Sequence, residues 1–195
     1  MTIRRPQYRH RRSLRLKGYD YSQPGAYFVT MCTQSRECLF GEIANDEVML
    51  NEYGKVVEEE WLKTPTMRTR VQLDEFVLMP NHLHAIMVIQ EGATAMPMVG
   101  AHSSAPLRRT PKSLGSLIAG FKSAVTKRIN ILRMSRGFPV WQRNYYEHIV
   151  RDEDDMNRIR EYVVNNPVRW AENENNPANI SRQRASTTTL KHGEP

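Results

Sequence analysis

Two histidines one residue apart, His82 and His84, follow Met79-Pro80-Asn81 inside the apolar stretch FVLMPNHLHAIMVI. Side chains on a strand alternate faces, so both imidazoles point one way and Leu83 and Ala85 the other. Side by side on a sheet face, they make half of a metal site or half of a general acid/base pair. They also fit two polar residues on a solvated face. In RIREYVVNNPVRW, Tyr162 and Asn166 stand four apart and share a face if a helix persists that far. A phenol, with an unperturbed pKa of roughly 10, is a weak nucleophile at neutral pH. It becomes useful where a bound metal polarises the electrophile. An amide oxygen one turn along completes a shell begun by two histidines, and such a trio suits phosphodiester cleavage through a covalent phosphotyrosine, a 3′-hydroxyl leaving. Plainer readings stand beside this one. Tyr162 fits a core aromatic with its hydroxyl at the surface, and Asn166, before Pro167, a helix C-cap. His148 fits a structural role or a third ligand, and Tyr145 and Tyr146 compete as nucleophiles.

The elements that must position these groups follow from pattern. Pro80 and Asn81 are turn formers, so strands are expected up to Met79 and from His82 to Gln90. AYFVTMCT, residues 26–33, reads as a first strand, and residues 34–50 remain ambiguous. A helix is expected from Asn51, its cap, to Lys63, with Tyr53, Val56, Val57 and Trp61 at helical spacing and Pro65 as its stop. Leu114 to about Arg133 forms another, with Leu114, Leu117, Ile118, Phe121, Val125 and Leu132 as its apolar stripe. A last strand falls within residues 140–150. A final helix runs from Asp152 to Asn165, its first turn loaded with Glu153, Asp154 and Asp155 against the helix dipole. This order gives an α+β, ferredoxin-like βαββαβ sandwich with an added C-terminal helix. The expected division is a basic arm over 1–24, a domain over 25–170 holding a flexible loop at 91–113, and a polar tail over 171–195. His102, in that loop, is given no chemical role.

The 195 residues carry a net charge of +7 and a pI near 9.6. Arg4, Arg5, Arg9, Arg11, Arg12, Arg15 and Lys17 fill the start of the chain with no acid among them. Such an arm meets polyanions, either nucleic acid or an anionic membrane surface. Lys122, Lys127 and Arg128 flank the second helix and could track a phosphate backbone. Arg143, among Trp141, Tyr145 and Tyr146, suits contact with unpaired bases. No run of 18 apolar residues occurs, so no membrane-spanning helix is expected. The start lacks the apolar core of a signal peptide, and Cys32 and Cys38 form no zinc pattern; a cytoplasmic protein with reduced thiols is expected.

Three segments together, MPNHLH with its apolar flanks, WQRNYYEH and REYVVNNPVRW, resemble the REP-associated tyrosine transposases of the HUH single-tyrosine superfamily, over about Tyr27 to Trp170. The resemblance implies a ferredoxin-like domain, with His82, His84 and Asn166 as metal ligands and Tyr162 as nucleophile. It further implies cutting and rejoining of single-stranded DNA beside palindromic hairpins, through a 5′-phosphotyrosine and with Mg²⁺ or Mn²⁺. Histidine nitrogen suits later divalent ions better than magnesium, which leaves metal identity open. One tyrosine makes one covalent link at a time, so a full excision and insertion cycle needs two sites or two rounds, an argument for transient homodimerisation on DNA. Two other readings stay open: a non-catalytic nucleic-acid-binding module, and a metal hydrolase that uses water.

Overall fold

The structure, a computed structural model, describes residues 16, 18–91, 113–173 and 175–179. Its main sheet contains β1 (Gly25–Cys32), β4 (Val71–Met79), β5 (His82–Ile89) and β6 (Tyr146–Val150), in the order β4-β5-β1-β6. All neighbours run antiparallel. Helix α1 (Glu52–Leu62) joins β1 to β4, and α3 (Leu114–Leu132) lies between β5 and β6 in the chain. The expected βαββαβ order and its added helix, α4 (Glu153–Val164), are both present. β2 (Gly41–Ala44) and β3 (Glu47–Leu50) form a separate hairpin in the segment the sequence left ambiguous. Its turn residues, Asn45 and Asp46, have φ of 52° and 63°, a left-handed pair that short polar side chains tolerate. Pro65 lies inside a short helix α2 (Thr64–Met67), α1 having ended before it.

Asn51 caps α1 as the sequence predicts, and Asp152, where the last helix is expected to start, caps α4. The Asn51 side chain accepts from the backbone N–H groups of Tyr53 and Gly54, and Asp152 accepts from that of Asp155. These bonds satisfy donors that a helix start leaves unpaired.

Alternation along the strands divides the sheet into two unequal faces. Tyr27, Val29, Met31, Leu83, Ala85, Met87 and Ile89 join Val57 and Trp61 of α1 and Leu114, Ile118, Phe121 and Val125 of α3 in one large core. The other face carries Phe28 and Ile86, against which only Ile159 and Val163 of α4 are buried, with Val77, Val150 and Met156 at the margin. Burying such side chains is worth about 1.5–3 kcal/mol each, so α4 rests on a small apolar base. Polar and charged contacts at its rim add to it. Arg160 grips both carboxylate oxygens of Asp74 on β4 at 2.8 and 2.7 Å. His148 Nε2 on β6 meets Asp155 Oδ2 at 2.7 Å. The helix is thus tied to both edge strands.

Two expected boundaries move. Tyr19 and Tyr21 pack against Tyr27, and the Tyr21 carbonyl accepts from Leu114 N–H, so the fold begins before residue 25. Beyond Trp170, Asn175 is buried and Asn173, Asn176 and Asn179 bond backbone or side chains nearby, so the tail expected from residue 171 is folded through Asn179. Of the flexible loop expected at 91–113, residues 92–112, His102 among them, lie outside the described residues, as do Arg4, Arg5, Arg11 and Arg12 of the expected arm.

The His148 contact, with Arg158 and the Arg151 N–H, lowers the Asp155 carboxyl from 3.8 to about 2. A carboxylate depressed by folding stabilises the fold fully above its unfolded value and loses that contribution as pH falls from 3.8 through about 2. Asp155→Asn should therefore flatten this acid limb in a pH series of thermal melts, while leaving the remaining acid sensitivity in place.

Candidate metal and nucleophile site

The face under α4 collects the residues singled out by chemistry. Cross-strand register sets His82 opposite Cys32 and Met79, and His84 opposite Thr30 and Val77. The two imidazoles meet edge to face with ring centroids 4.4 Å apart. Both are buried, His82 at 0% and His84 at 2% exposure. Burial pushes His84 down to about 3. Burial, the neighbouring His84 and the charge of Arg36 hold His82 well below its usual 6.5, the Asn166 side chain pulling to a lesser degree the other way. Desolvation disfavours the charged form, so both rings are neutral at physiological pH and carry a lone pair each.

The Tyr162 hydroxyl reaches His84 Nε2 at 3.3 Å, and the other His84 nitrogen, Nδ1, is 2.8 Å from Thr30 Oγ1. Phe28 packs against both the His84 and Tyr162 rings, at 5.5 and 6.0 Å between centroids. The tyrosine as a whole is 43% exposed, although its ring packs on Phe28 and His84. Asn166 falls just past α4 instead of on its last turn, in a turn closed by its N–H on the Val163 carbonyl. Its amide is buried beside His82, and Asn173 Nδ2 donates to its oxygen at 3.0 Å. Trp170 lies over His82 at 6.1 Å between centroids.

Whether these residues suit a divalent cation turns on one atom. His82 Nε2 is buried without a hydrogen-bond partner. The indole nitrogens of Trp61 and Trp141 share that condition, but each indole sits among aromatic rings whose faces are weak acceptors. A buried imine lone pair has no such recourse and calls for a donor or a cation. Two neutral imidazoles and a carboxamide form a nitrogen-rich set with one oxygen, fitting a borderline divalent ion. Among the described residues no group of three or more His, Cys, Asp or Glu could hold a metal ion, so any ligand set here must include an amide, water or substrate oxygen. A cation held by His84 Nε2 would take the place of that atom's contact with the Tyr162 hydroxyl.

The remaining candidates are placed elsewhere. His148 is paired with Asp155 and fastens α4. Tyr145 lies under Lys122, 5.6 Å from ring centroid to Nζ, and packs against the large core, while Tyr146 flanks Phe28 on the histidine face. Lys122 donates to the carbonyls of Gln142 and Asn144. Arg128 grips Glu60 and Glu59 at 2.7 Å each. Lys122, Lys127 and Arg128 belong to α3, which covers the sheet face opposite the histidines, and the structure does not bring them to the site. Lys127 and Arg143 are exposed. Sequence reasoning missed Thr30, Asn81, Asn173 and Asn175. A small polar residue in an apolar strand, Thr30, was the one visible signal; the asparagines reach the site only through distant contacts.

No protein-family model matches the chain. An uncharacterised protein of Haemophilus influenzae is 44% identical over 168 residues, covering 85% of this chain and 92% of that protein. A second protein of that organism, named as a candidate REP-associated tyrosine transposase, is 23% identical over 152 residues, covering 77% of this chain and 74% of that one. A solved REP-associated tyrosine transposase bound to a REP hairpin shares the fold, with a TM-score of 0.52 at 17% identity, over 80% of this chain and 73% of that one.

Asp74→Ala removes the partner of Arg160 at a partly exposed pair and should cost about 1 kcal/mol of stability. Amide exchange should quicken in α4 and stay unchanged in α1 and α3.

Proposed function

We propose that the chain is a REP-associated tyrosine transposase, on its likeness to a candidate member of that family and to a solved one, and that it acts as a metal-dependent endonuclease and strand transferase. Its substrate is single-stranded DNA at hairpin-forming palindromic repeats, and its nucleophile is Tyr162. The similarities by themselves support a transposase-like, DNA-processing role. The finer reading is carried by one observation, the Tyr162 hydroxyl 3.3 Å from the Nε2 of a buried, neutral histidine beside a second one. The known relative bound to a REP hairpin supports a hairpin substrate.

His82 and His84, with Asn166, would hold Mg²⁺ or Mn²⁺, which when bound supplies charge withdrawal from a non-bridging phosphate oxygen. The protein's own groups do the rest. Phe28 and the rim contacts of α4 orient the phenol toward the imidazoles. The Tyr162 oxygen forms a bond to phosphorus and loses its proton, the P–O3′ bond breaks, and the departing 3′-oxygen takes up a proton. The 5′-phosphate stays on the tyrosine, so the bond's free energy is kept. Attack by a 3′-hydroxyl then rejoins strands without ATP. Closed over by Trp170 and Asn166, the histidine pocket shields His82 from water.

Incubation with labelled hairpin-bearing single-stranded DNA and Mn²⁺ should give a covalent protein–DNA band on a denaturing gel, absent in Tyr162→Phe. His82→Ala should remove cleavage and leave hairpin binding within a few-fold. Cleavage that survives Tyr162→Phe without an adduct would favour water as nucleophile. Binding with no cut at all would favour a non-catalytic module. Because the Tyr162 hydroxyl and a cation would compete for His84 Nε2, Tyr162→Phe should bind Mn²⁺ at least as tightly as the native protein by titration calorimetry; weaker binding would contradict the shared site.

A further inference from the structure

Asn81, in the tight turn between β4 and β5, is wholly buried. Its side-chain nitrogen donates to two backbone carbonyls, that of Arg36 at 2.9 Å and that of Asn175 at 2.7 Å. These carbonyls come from segments 45 and 94 residues away in sequence. Both amide hydrogens are therefore used. Reversing the amide would set its oxygen against two carbonyl oxygens, so its orientation is fixed. The oxygen faces His82 Nδ1 at 2.8 Å. An amide oxygen only accepts, so Nδ1 must carry the proton, and in a neutral ring Nε2 then carries the lone pair.

We propose that Asn81 is the positioning residue of the site, selecting the tautomer of His82 that presents a bare Nε2. The inference rests on the reading of His82 as a cation ligand and adds what prepares it. Outer partners of ligating histidines commonly fix ring orientation and tautomer in this way. Here the outer partner is itself oriented by the chain that follows the nucleophile's helix, through the Asn175 carbonyl. The backbone of Asn81 is held as well, its carbonyl accepting from Thr33 N–H at 2.8 Å. A purely structural role for Asn81, tying these loops together, would use its amide hydrogens; the positioning role uses its oxygen.

That difference gives the test. In metal-free, ¹⁵N-labelled full-length protein at neutral pH, long-range ¹H–¹⁵N spectra should show His82 protonated at Nδ1; a proton on Nε2 overturns the proposal. Asn81→Ala should mix the tautomers and weaken Mn²⁺ binding by about 10–100-fold. Asn81→Asp keeps an acceptor at Nδ1 and loses both donations. It should hold the tautomer and bind Mn²⁺ within a few-fold of the native protein. Equal losses in the two variants would show that Asn81 only ties loops together, and would overturn the proposal. If the native protein binds no Mn²⁺, the metal reading fails, and the His82 tautomer alone decides the role of Asn81. Should Asn81→Ala not fold, the native tautomer and Asn81→Asp decide.

Discussion

Burying two imidazoles side by side is the demand that the rest of the histidine face answers. A ring nitrogen taken from water without a partner carries a desolvation cost of about 1–3 kcal/mol, and two adjacent cations in that position would cost far more. The face responds by keeping both rings neutral and by giving each Nδ1 a polar neighbour, Thr30 for His84 and Asn81 for His82. The two Nε2 atoms remain. One meets the tyrosine, and the other is buried without a hydrogen bond although the Asn166 amide lies beside the ring. Such an arrangement is unfavourable as a scaffold and favourable as a ligand set, since neutral imidazole lone pairs bind cations and imidazolium does not.

Local pattern carried much of this into the sequence. The period of a strand put His82 and His84 on one face, and the apolar spacing of α1 and α3, the cap of α1 and the acidic first turn of α4 fixed those helices to within a few residues. The four-residue step from Tyr162 to Asn166 brought both to the site, although the helix stops between them. Asn45-Asp46 hid a hairpin because its signal is weaker than Asn-Gly. The asparagines after Trp170 read as solvated tail, since nothing local distinguishes an Asn that bonds water from one that reaches a carbonyl far off in sequence. The partners of Lys122 and Arg128 were hidden for the same reason. Their charges suggested phosphate, while their partners, the Gln142 and Asn144 carbonyls and the Glu59–Glu60 pair, lie in other elements.

The sheet divides its labour. One face, under α1 and α3, holds most of the large buried side chains and bears the stability of the fold. The other gives up apolar area to histidines, threonine and the tyrosine that reaches them. Polar groups there are tolerated because the opposite face is packed densely enough to keep β1 and β5 in place.

Fastening a helix by charged contacts at its rim has an outcome for how the molecule answers to ions in solution. At about 0.15 M salt, interactions between exposed charges are screened beyond roughly 8 Å, and partly exposed pairs such as Arg160–Asp74 weaken further as salt rises. Affinity for a polyanion weakens over the same range by counterion release. With the proposed activity on nucleic acid, its loss in concentrated electrolyte would thus have two origins, a looser hold on the nucleic acid and a looser hold on the helix that carries the phenol. Only the second would persist when the nucleic acid is saturating.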